Sequence, residues 1–236
     1  MTNYSGSISK IESFSKFDGP GIRSVVFLSG CNLRCKYCHN PEMWKKESDN
    51  ITSDELVEKL LRNKPYFKNG GGVTFSGGEP LLQKEFLLDV MKKLKEEDIN
   101  ITLDTAGYVS FDVSDVLKYV DLVLLDIKHV ERCGYHSLTG GDISVFEKFI
   151  DIINKFNIPI WIRQVIVPGI NDNILYMEKL KKYLKRINNI EKIEFLPFHR
   201  MGFSKYEELG IDNPLKDTPA MDKDKCEELY NYFLKI

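Results

Sequence analysis

Three cysteines lie close together in a CxxxCxxC pattern, at Cys31, Cys35 and Cys38. Three thiolates on so short a loop can bind one soft metal centre. A structural zinc site or an electron-carrying iron–sulfur cluster normally takes four protein ligands. A cluster bound by three cysteines leaves one iron open, and an open metal position is where a ligand can bind and react. The pattern therefore predicts a catalytic metal centre.

The same cysteines allow other interpretations. His39 directly follows Cys38 and is the candidate fourth ligand of a Cys3His zinc site, because imidazole also suits zinc. Three unrelated thiols on a surface loop are a second alternative. A thiol–disulfide role is disfavoured, because no pair of the three stands apart from the third.

Composition limits the function classes. The 236 residues are 42% hydrophobic and 29% charged, which is typical of a globular protein and predicts one domain over 1–236. The net charge of −2 and the lack of a basic run give no indication of nucleic-acid binding. The polar N-terminal segment 1–7 lacks the blocks of a signal peptide, and no apolar stretch is long enough to span a membrane. Five cysteines, three of them clustered, fit a reducing cytoplasm better than a disulfide framework.

The other cysteines have structural interpretations. A helical spacing of i, i+3, i+4, i+7 places Cys226 on one apolar face, which predicts a core position; the face comprises Cys226, Leu229, Tyr230 and Phe233. Cys133 lies in the turn-rich segment 131–134 and is predicted to be incidental. We assign no role to His129 or His136.

Six apolar runs predict β-strands. They are short and nearly continuous, as expected for parallel strands covered on both faces: Val25–Leu28, Val73–Phe75, Ile101–Leu103, Leu122–Leu125, Ile158–Val167 and Ile193–Leu196.

Helical patterns separate most of the predicted strands. One begins at the capping box Thr52–Glu55 and continues through Leu56, Leu60 and Leu61. The other two comprise Leu87, Val90, Met91 and Leu94, and Ile174, Met177, Leu180, Leu184 and Ile187. The alternation predicts βαβ units with right-handed crossovers.

Polar or metal-binding residues lie at or near one end of every predicted strand. The first strand leads into the cysteine loop and the second into Ser76–Pro80. The third ends in Asp104-Thr105, the fourth in Asp126-Ile127-Lys128 and the sixth in 197–200, which includes His199. The fifth carries Arg163 inside an apolar run. Because the C-terminal strand ends of a β/α barrel meet at one mouth, these residues are predicted to form one site.

Each of these residues also allows a plainer interpretation. Asp104 and Asp126 are either solvated carboxylates or, with Thr105, oxygen ligands of a hard cation. Lys128 and Arg163 lie within apolar runs and must pair or face a polar cavity. Gly77-Gly78-Glu79 is either a simple turn or a place where backbone closely approaches a ligand. His199 is either a core histidine or a site residue.

Taken together, the motifs resemble the radical S-adenosylmethionine (SAM) superfamily and, within it, the activases of pyruvate formate-lyase. The matching segments run in order along the chain: Asp18-Gly-Pro-Gly-Ile-Arg23, Cys38-His-Asn40, Ser76-Gly-Gly-Glu79, Asp104-Thr105, Leu125-Asp-Ile-Lys128, Trp161-Ile-Arg163 and Leu196-Pro-Phe-His199. The fold implied is a partial (β/α)6 TIM-like barrel of the radical SAM type, with parallel strands and outer helices.

The resemblance also implies the roles of individual residues. Cys31, Cys35 and Cys38 would bind a [4Fe–4S] cluster whose open iron chelates SAM. The SAM pocket would comprise Tyr37, Cys38, His39, Gly78, Glu79, Asp104, Asp126, Ile127, Lys128 and His199. Asp104, Thr105 and Asp126 match positions that bind a monovalent cation, Na+ or K+. Asp18, Asn40 and Arg163 would contact the protein substrate.

The implied reaction is reductive cleavage of SAM at the cluster, with one electron from a flavodoxin or ferredoxin. Hydrogen abstraction from a backbone glycine of pyruvate formate-lyase would follow and generate a glycyl radical. We expect a cytoplasmic monomer that binds neither nucleic acid nor a membrane.

The alternatives are an activase of another glycyl-radical enzyme, a small radical SAM enzyme with another substrate, or a non-enzymatic iron–sulfur or zinc protein. No further cysteine occurs between Cys38 and Ser76, where activases of glycerol dehydratase or choline lyase usually carry extra cysteine clusters. Their absence favours pyruvate formate-lyase as the substrate. Leu124 stands where the family has methionine, which changes little if only the backbone carbonyl of this residue binds the cation.

Overall fold

A computed structural model describes residues 3–46 and 49–236. Met1 and Thr2 of the polar N-terminal segment lie outside the described residues. The strands are β1 (Ser5–Gly6), β2 (Ile8–Ser15), β3 (Arg23–Leu28), β4 (Ile51–Thr52), β5 (Gly72–Gly77), β6 (Asn100–Thr105), β7 (Leu122–Asp126), β8 (Ile160–Ile166) and β9 (Ile190–Pro197). The helices are α1 (Ser53–Leu61), α2 (Lys84–Glu96), α3 (Ser114–Leu117), α4 (Arg132–Thr139), α5 (Ile143–Ile153), α6 (Ile174–Leu184), α7 (Phe203–Glu208) and α8 (Lys223–Lys235).

A seven-stranded sheet in the order β2-β3-β5-β6-β7-β8-β9 forms the centre. The six predicted strands, β3 and β5 to β9, all run parallel to one another. They follow one another around the sheet in chain order, which is the arrangement of a β/α barrel. Within the described residues β2 and β9 are the two sheet edges and do not pair with each other, so the barrel stays open. The predicted α/β fold with a partial barrel is confirmed.

Strand β2 is absent from the sequence-based prediction. It runs antiparallel to β3 and exposes most of its side chains, including Lys10 and Glu12. An edge strand of this kind has no continuous apolar run, and charged residues on it protect the open edge. The small sheet of β1 and β4 was also not predicted, because two residues per strand are too few for a periodic signal.

The three predicted helices are confirmed, one with a shifted end. At the start of α1, the Thr52 side chain accepts from the Glu55 backbone N–H, and the Glu55 carboxylate accepts from the Thr52 N–H, so the capping box is formed. Helix α6 ends at Leu184, so Ile187 is buried beyond it rather than within it. Helix α2 buries the face that the spacing predicts, Leu87, Val90, Met91 and Leu94.

The structure confirms one of the two predictions for the cysteines outside the loop. Cys226 is buried in α8 with Leu229 and Phe233, as predicted. The prediction of a turn around Cys133 is wrong: this residue is exposed on α4. Although Gly134 disfavours a helix, burial of Tyr135 and Leu138 stabilises the helical conformation, so tertiary packing overrides the local preference.

Two histidines without an assigned role occupy structural positions. The His129 Nδ1 atom accepts from the Glu131 backbone N–H at 3.1 Å, just before α4 begins. A Cβ atom on Gly134 would lie 2.0 Å from the His129 ring, so glycine is required where the helix crosses the imidazole. The His136 Nδ1 atom lies 3.3 Å from the Gly141 carbonyl oxygen.

Helices cover the outer face of the sheet and one hydrophobic core joins the two layers. The central strands β5, β6 and β7 are buried on both faces, which matches their continuous apolar sequences. Strand β8 instead alternates between buried and half-buried residues, and Arg163 occupies a half-buried position. No helix within the described residues is long and apolar enough to cross a membrane.

Candidate active site

One cavity of about 400 Å³ lies at the C-terminal ends of the parallel strands. Asp18, Glu79 and Ile127 do not line it. The structure brings the other predicted site residues together on its wall: Cys31, Cys35, Tyr37, Cys38, His39, Asn40, Gly78, Asp104, Thr105, Asp126, Lys128, Arg163 and His199. The convergence expected from the strand ends is therefore present.

Backbone hydrogen bonds on both sides hold the cysteine loop. At its start, the Cys31 N–H donates to the Trp44 carbonyl at 3.2 Å. In its middle, the N–H groups of Arg34 and Lys36 each donate at 2.8 Å to carbonyls at the end of α4. Because these bonds fix the backbone, the three thiols are positioned before any metal binds.

Burial determines the protonation of these thiols. It raises the pKa of Cys31 to about 11 and that of Cys35 to about 12, and it also raises the pKa of Cys38. All three are free cysteines. Only the thiolate is a metal ligand, so metal binding must displace protons from this loop.

The zinc alternative finds no support in the position of His39. Its ring stacks on the His199 ring at a centroid distance of 3.8 Å and an angle of 15°, and its Nε2 atom lies 3.2 Å from the His199 carbonyl oxygen. Across residues 3–46 and 49–236, no three or more His, Cys, Asp or Glu side chains are arranged to hold a single metal ion. Each cysteine of an iron–sulfur cluster binds a different iron, so these thiols need not meet at one point.

The Gly77-Gly78-Glu79 turn packs directly on the cysteine loop. The Glu79 N–H donates to the Gly30 carbonyl at 2.8 Å. A Cβ atom on Gly78 would lie 2.1 Å from the same carbonyl oxygen. Gly77 has a φ of +114°, which side chains with a Cβ rarely adopt. The two glycines are therefore required for the close approach of the two loops.

The Glu79 carboxylate points into the protein rather than into the cavity. It accepts from the Thr105 hydroxyl at 2.6 Å and from the Ala106 N–H at 3.1 Å. Burial raises the pKa of Glu79 to about 7, although these hydrogen bonds act in the opposite direction. In this conformation Glu79 supports Thr105 on the cavity wall, and its predicted contact with SAM stays a prediction.

Two carboxylates and two cations face the cavity from neighbouring strands. Asp104 accepts from Ser76 at 2.7 Å and lies 3.6 Å from Arg163. Burial raises the pKa of Asp104 to about 6, against the effect of Arg163. The Lys128 ammonium donates to Asp126 at 2.8 Å. Although burial acts against its charge, the Asp126 carboxylate raises the pKa of Lys128, so this cavity contains a firmly charged ammonium group.

Arg163 makes three contacts from β8. Its Nη1 atom faces Asp104, its Nε atom lies 3.4 Å from the Glu194 carboxylate, and its Nη2 atom donates to the Phe17 carbonyl at 2.5 Å. Glu194 was not predicted as a site residue. It is paired with Arg163 in the register of β8 and β9, and that register cannot be derived from either strand alone.

The other two predicted substrate contacts are placed differently. The Asn40 side chain lines the cavity and accepts from Lys205 at 2.8 Å. Asp18 lies outside the cavity lining, where its carboxylate accepts from Ser15 at 2.5 Å. Asp18 therefore does not line the cavity in this conformation, and its predicted contact with the substrate stays a prediction.

Unpartnered polar atoms test whether a ligand fits the cavity. The Tyr37 hydroxyl and the His199 Nδ1 atom are buried and have no hydrogen-bond partner within the described residues. Buried polar groups are normally paired, and both residues line the cavity. The wall therefore offers polar atoms, two charge pairs and three thiols to a polar ligand and a cluster. This set of donors fits [4Fe–4S] and SAM.

The chain is similar to several known proteins over most of its length. A family model described as a 4Fe-4S single cluster domain matches residues 17–144. The pyruvate formate-lyase-activating enzyme of Clostridium pasteurianum is 49% identical over 233 residues, which cover 98% of each chain.

Solved structures show the same fold. A domain of pyruvate-formate lyase-activating enzyme from Bacteroides vulgatus matches with a TM-score of 0.57 and 22% identity, covering 70% of this chain and 94% of that one. The enzyme anSMEcpe with bound AdoMet matches with a TM-score of 0.55 and 24% identity, covering 71% of this chain and 48% of that one.

Proposed function

The chain belongs to the family of pyruvate formate-lyase-activating enzymes, and from this premise we propose that it removes a hydrogen atom from one backbone glycine of a pyruvate formate-lyase. It is a radical SAM activase with a [4Fe–4S] cluster and SAM as cofactors. One observation carries the proposal for the site: the three loop cysteines share a cavity with a half-buried lysine–aspartate pair. The products of the proposed reaction are a glycyl radical on the partner, methionine and 5′-deoxyadenosine.

Cys31, Cys35 and Cys38 are proposed to hold the cluster. With SAM bound, the cluster supplies one-electron chemistry that amino-acid side chains do not provide. The nearby Lys128 ammonium opposes the burial that raises the pKa of Cys35. Lys128 therefore favours the thiolate form that metal binding requires.

The SAM pocket is proposed to extend from the cysteine loop to β7. Asp126 and Lys128 present one negative and one positive group, which suits the amino and carboxylate groups of a zwitterion. Backbone at Gly78 lines the cavity and can approach a ligand closely. Tyr37, His39 and His199 complete the wall. We assign Asp104, Thr105 and Asp126 to a monovalent cation, because oxygen ligands suit hard cations.

We propose that the protein substrate enters the cavity past Asn40 and Arg163, which line it, and that Asp18 lies near this entrance. An arginine can hold a backbone carbonyl by a charge-assisted hydrogen bond, and the Phe17 carbonyl already occupies one Nη2 position of Arg163. A docked segment would also exclude water from the cavity and so prevent side reactions.

The remaining proposals concern the electron donor, the oligomeric state and the location of the enzyme. We propose a flavodoxin or ferredoxin as the electron donor and a monomer of one domain over residues 1–236. A cytoplasmic location is proposed from the five cysteines, three of them clustered in one loop, because clustered free thiols suit a reducing compartment.

The experiment begins with anaerobic reconstitution and analysis of iron and sulfide, for which about four of each per chain are expected. The electron paramagnetic resonance (EPR) spectrum of the reduced protein should change when SAM is added. Incubation with reductant, SAM and pyruvate formate-lyase should then give the EPR doublet of a glycyl radical.

The outcomes distinguish the alternatives. SAM cleavage without a glycyl radical on any pyruvate formate-lyase would contradict the proposed substrate and favour another glycyl-radical partner. Binding of zinc alone, with no SAM-dependent EPR change, would contradict the proposed chemistry altogether.

A further inference from the structure

A fully buried arginine lies at the N-terminal end of the sheet, away from the cysteine loop. Arg23 is the first residue of β3 and has no exposed surface. Its guanidinium donates to the carbonyls of Gly70 at 2.9 Å, Val73 at 2.8 Å and Pro20 at 3.2 Å, and to the Asn100 side chain at 3.0 Å. Because its donors are paired, the cost of burying this charge is offset.

One hydroxyl connects this arginine to the loop before β3. The Arg23 Nε–H group donates to the Thr74 Oγ1 atom at 2.7 Å, and the Thr74 hydroxyl donates to the Asp18 carbonyl at 2.7 Å. Thr74 is fully buried on β5. The hydroxyl accepts from a cation and donates in turn, so the two hydrogen bonds strengthen each other.

The loop held in this way, residues 16–22, reaches the candidate active site. Its Phe17 carbonyl accepts from Arg163 at 2.5 Å. Gly19 has a φ of +121°, and a Cβ atom there would lie 3.0 Å from the Arg23 side chain. The path of the loop therefore depends on glycine at this position, and the loop joins Arg23 at one end of the barrel to Arg163 at the cavity.

We propose that Arg23 and Thr74 are positioning residues for the protein substrate. They fix the 16–22 loop, and the loop fixes the orientation in which Arg163 faces the cavity. This inference rests on the proposed function, in which Arg163 contacts the protein substrate. If Arg23 and Thr74 had a purely structural role, substituting them would lower the stability of the protein without a selective effect on the KM for the partner.

The decisive variant is Thr74→Val, which keeps the shape of the side chain and removes its hydroxyl. Loss of the hydrogen bond should raise the KM for pyruvate formate-lyase about tenfold. SAM affinity and SAM cleavage without the partner should change less than about twofold, because neither involves the loop. Amide hydrogen exchange of residues 16–22 in the cluster-loaded protein should accelerate. Thr74→Ser retains the hydroxyl, so its KM for pyruvate formate-lyase and its amide exchange in residues 16–22 should match those of the wild type.

Thr102 offers the matched control. It pairs with Thr74 in the register of β5 and β6 and is equally buried, and its hydroxyl has no hydrogen-bond partner within the described residues. Thr102 packs near the same loop, since a Cβ atom on Gly19 would lie 3.3 Å from its Oγ1 atom, but it makes no hydrogen bond to the loop. Thr102→Val should therefore change the KM and the exchange of the loop much less than Thr74→Val does. A second variant, Gly19→Ala, strains the loop while leaving the Thr74 hydroxyl in place and should also raise the KM.

Two results would overturn the inference: equal effects of Thr74→Val and Thr102→Val, or a Thr74→Val protein with normal KM and normal loop exchange. A wild-type protein that makes no glycyl radical would contradict the proposed function alone. The exchange measurement needs no partner protein. It therefore tests whether Arg23 and Thr74 hold the 16–22 loop, whether or not the proposed function is correct.

Discussion

Burial and fixed geometry define the chemistry of the loop cysteines. Cys35 is the most deeply buried of the three, and its thiol has the highest of the stated pKa values. A neutral thiol in such a site is a poor free nucleophile. The loop is therefore suited to permanent metal ligation rather than to thiol exchange.

Replacing any one loop cysteine by alanine should abolish the cluster, because the two remaining thiolates do not suffice to hold it. The measurement is iron and sulfide content after anaerobic reconstitution. Cys226→Ala is the control: this residue is buried in α8, so the variant should keep its cluster and lose about 1 kcal/mol of unfolding free energy. Loss of iron in Cys226→Ala with a normal cluster in Cys35→Ala would contradict the assignment.

The lysine–aspartate pair at the cavity gives a second prediction. Asp126→Asn removes the charge that Lys128 faces at 2.8 Å and leaves a half-buried cation without its partner, which should weaken SAM binding about tenfold or more. The cluster should remain intact. Equilibrium binding of SAM to the cluster-loaded protein, without reductant, measures the effect.

Asp121 is the matched control for Asp126. It precedes the same strand at its opposite end, where it accepts from the Ile101 N–H at 2.6 Å. Asp121→Asn should leave SAM affinity unchanged. If Asp126→Asn also binds SAM normally across a range of Na+ and K+ concentrations, Asp126 is not part of the ligand site.

The sequence predicts the members of this site better than their contacts. Cys31, Asp104 and Lys128 were predicted because each follows or ends an apolar strand, and parallel strand ends meet at one place. The partners of Arg163 were not predicted, because Glu194 depends on strand register and Phe17 on the path of a loop. The direction of a side chain could not be predicted from the sequence either. Glu79 points into the protein because Thr105 and Ala106 donate hydrogen bonds to its carboxylate.

Among the secondary-structure elements, α1 and α2 are joined by a small polar network. Asp89 on α2 accepts from Lys93 at 2.7 Å and also from the Ser53 hydroxyl at the start of α1. Although burial acts against its charge, these hydrogen bonds hold the pKa of Asp89 below its ordinary value. The network therefore fixes the outer helices relative to each other while the carboxylate is ionised.

Asp89→Asn should lower the unfolding free energy by about 1 kcal/mol at neutral pH. A depressed folded-state pKa contributes stability above the unfolded-state pKa, about 3.9, and loses it as pH falls through the folded value. The difference between the two proteins should therefore shrink below about pH 4. Urea unfolding at several pH values measures it.

An exposed pair at the C-terminal end of α1 provides the comparison. Glu58 and Arg62 have the same i,i+4 relation, but their side chains are 73% and 70% exposed. Glu58→Gln should change stability by only a few tenths of a kcal/mol, at about the limit of measurement. Equal effects of the two substitutions would show that the Asp89 network has no special contribution.

Sequence patterns predict elements well where burial is complete. Strands β5, β6 and β7 were predicted from continuous apolar runs, and each is covered on both faces. Strand β2 was not, because an edge strand facing solvent carries polar residues along its length. Helix α4 was not, because its stability comes from the packing of Tyr135 and Leu138 rather than from propensity.

For the molecule as a whole, the open barrel has a functional consequence. The sheet ends in β2 on one side and β9 on the other, and the two do not pair within the described residues. Arg163 on β8 contacts both sides, with the Phe17 carbonyl just beyond β2 and Glu194 on β9. The open side therefore has a charged group at its centre, and this placement supports the proposal that a segment of the partner protein reaches the cavity there.

Arg163→Gln should separate cofactor chemistry from substrate chemistry. The variant keeps the cluster, so SAM binding and SAM cleavage without the partner should change less than about threefold. Loss of a charge-assisted hydrogen bond to the substrate backbone should lower the glycyl radical formed per SAM consumed by about tenfold or more. EPR spin counting and quantification of 5′-deoxyadenosine measure this ratio. Arg186→Gln, whose side chain pairs with Glu147 on the outer surface, should behave like the wild type. An unchanged ratio in Arg163→Gln would mean that the partner does not bind across the open side at this residue.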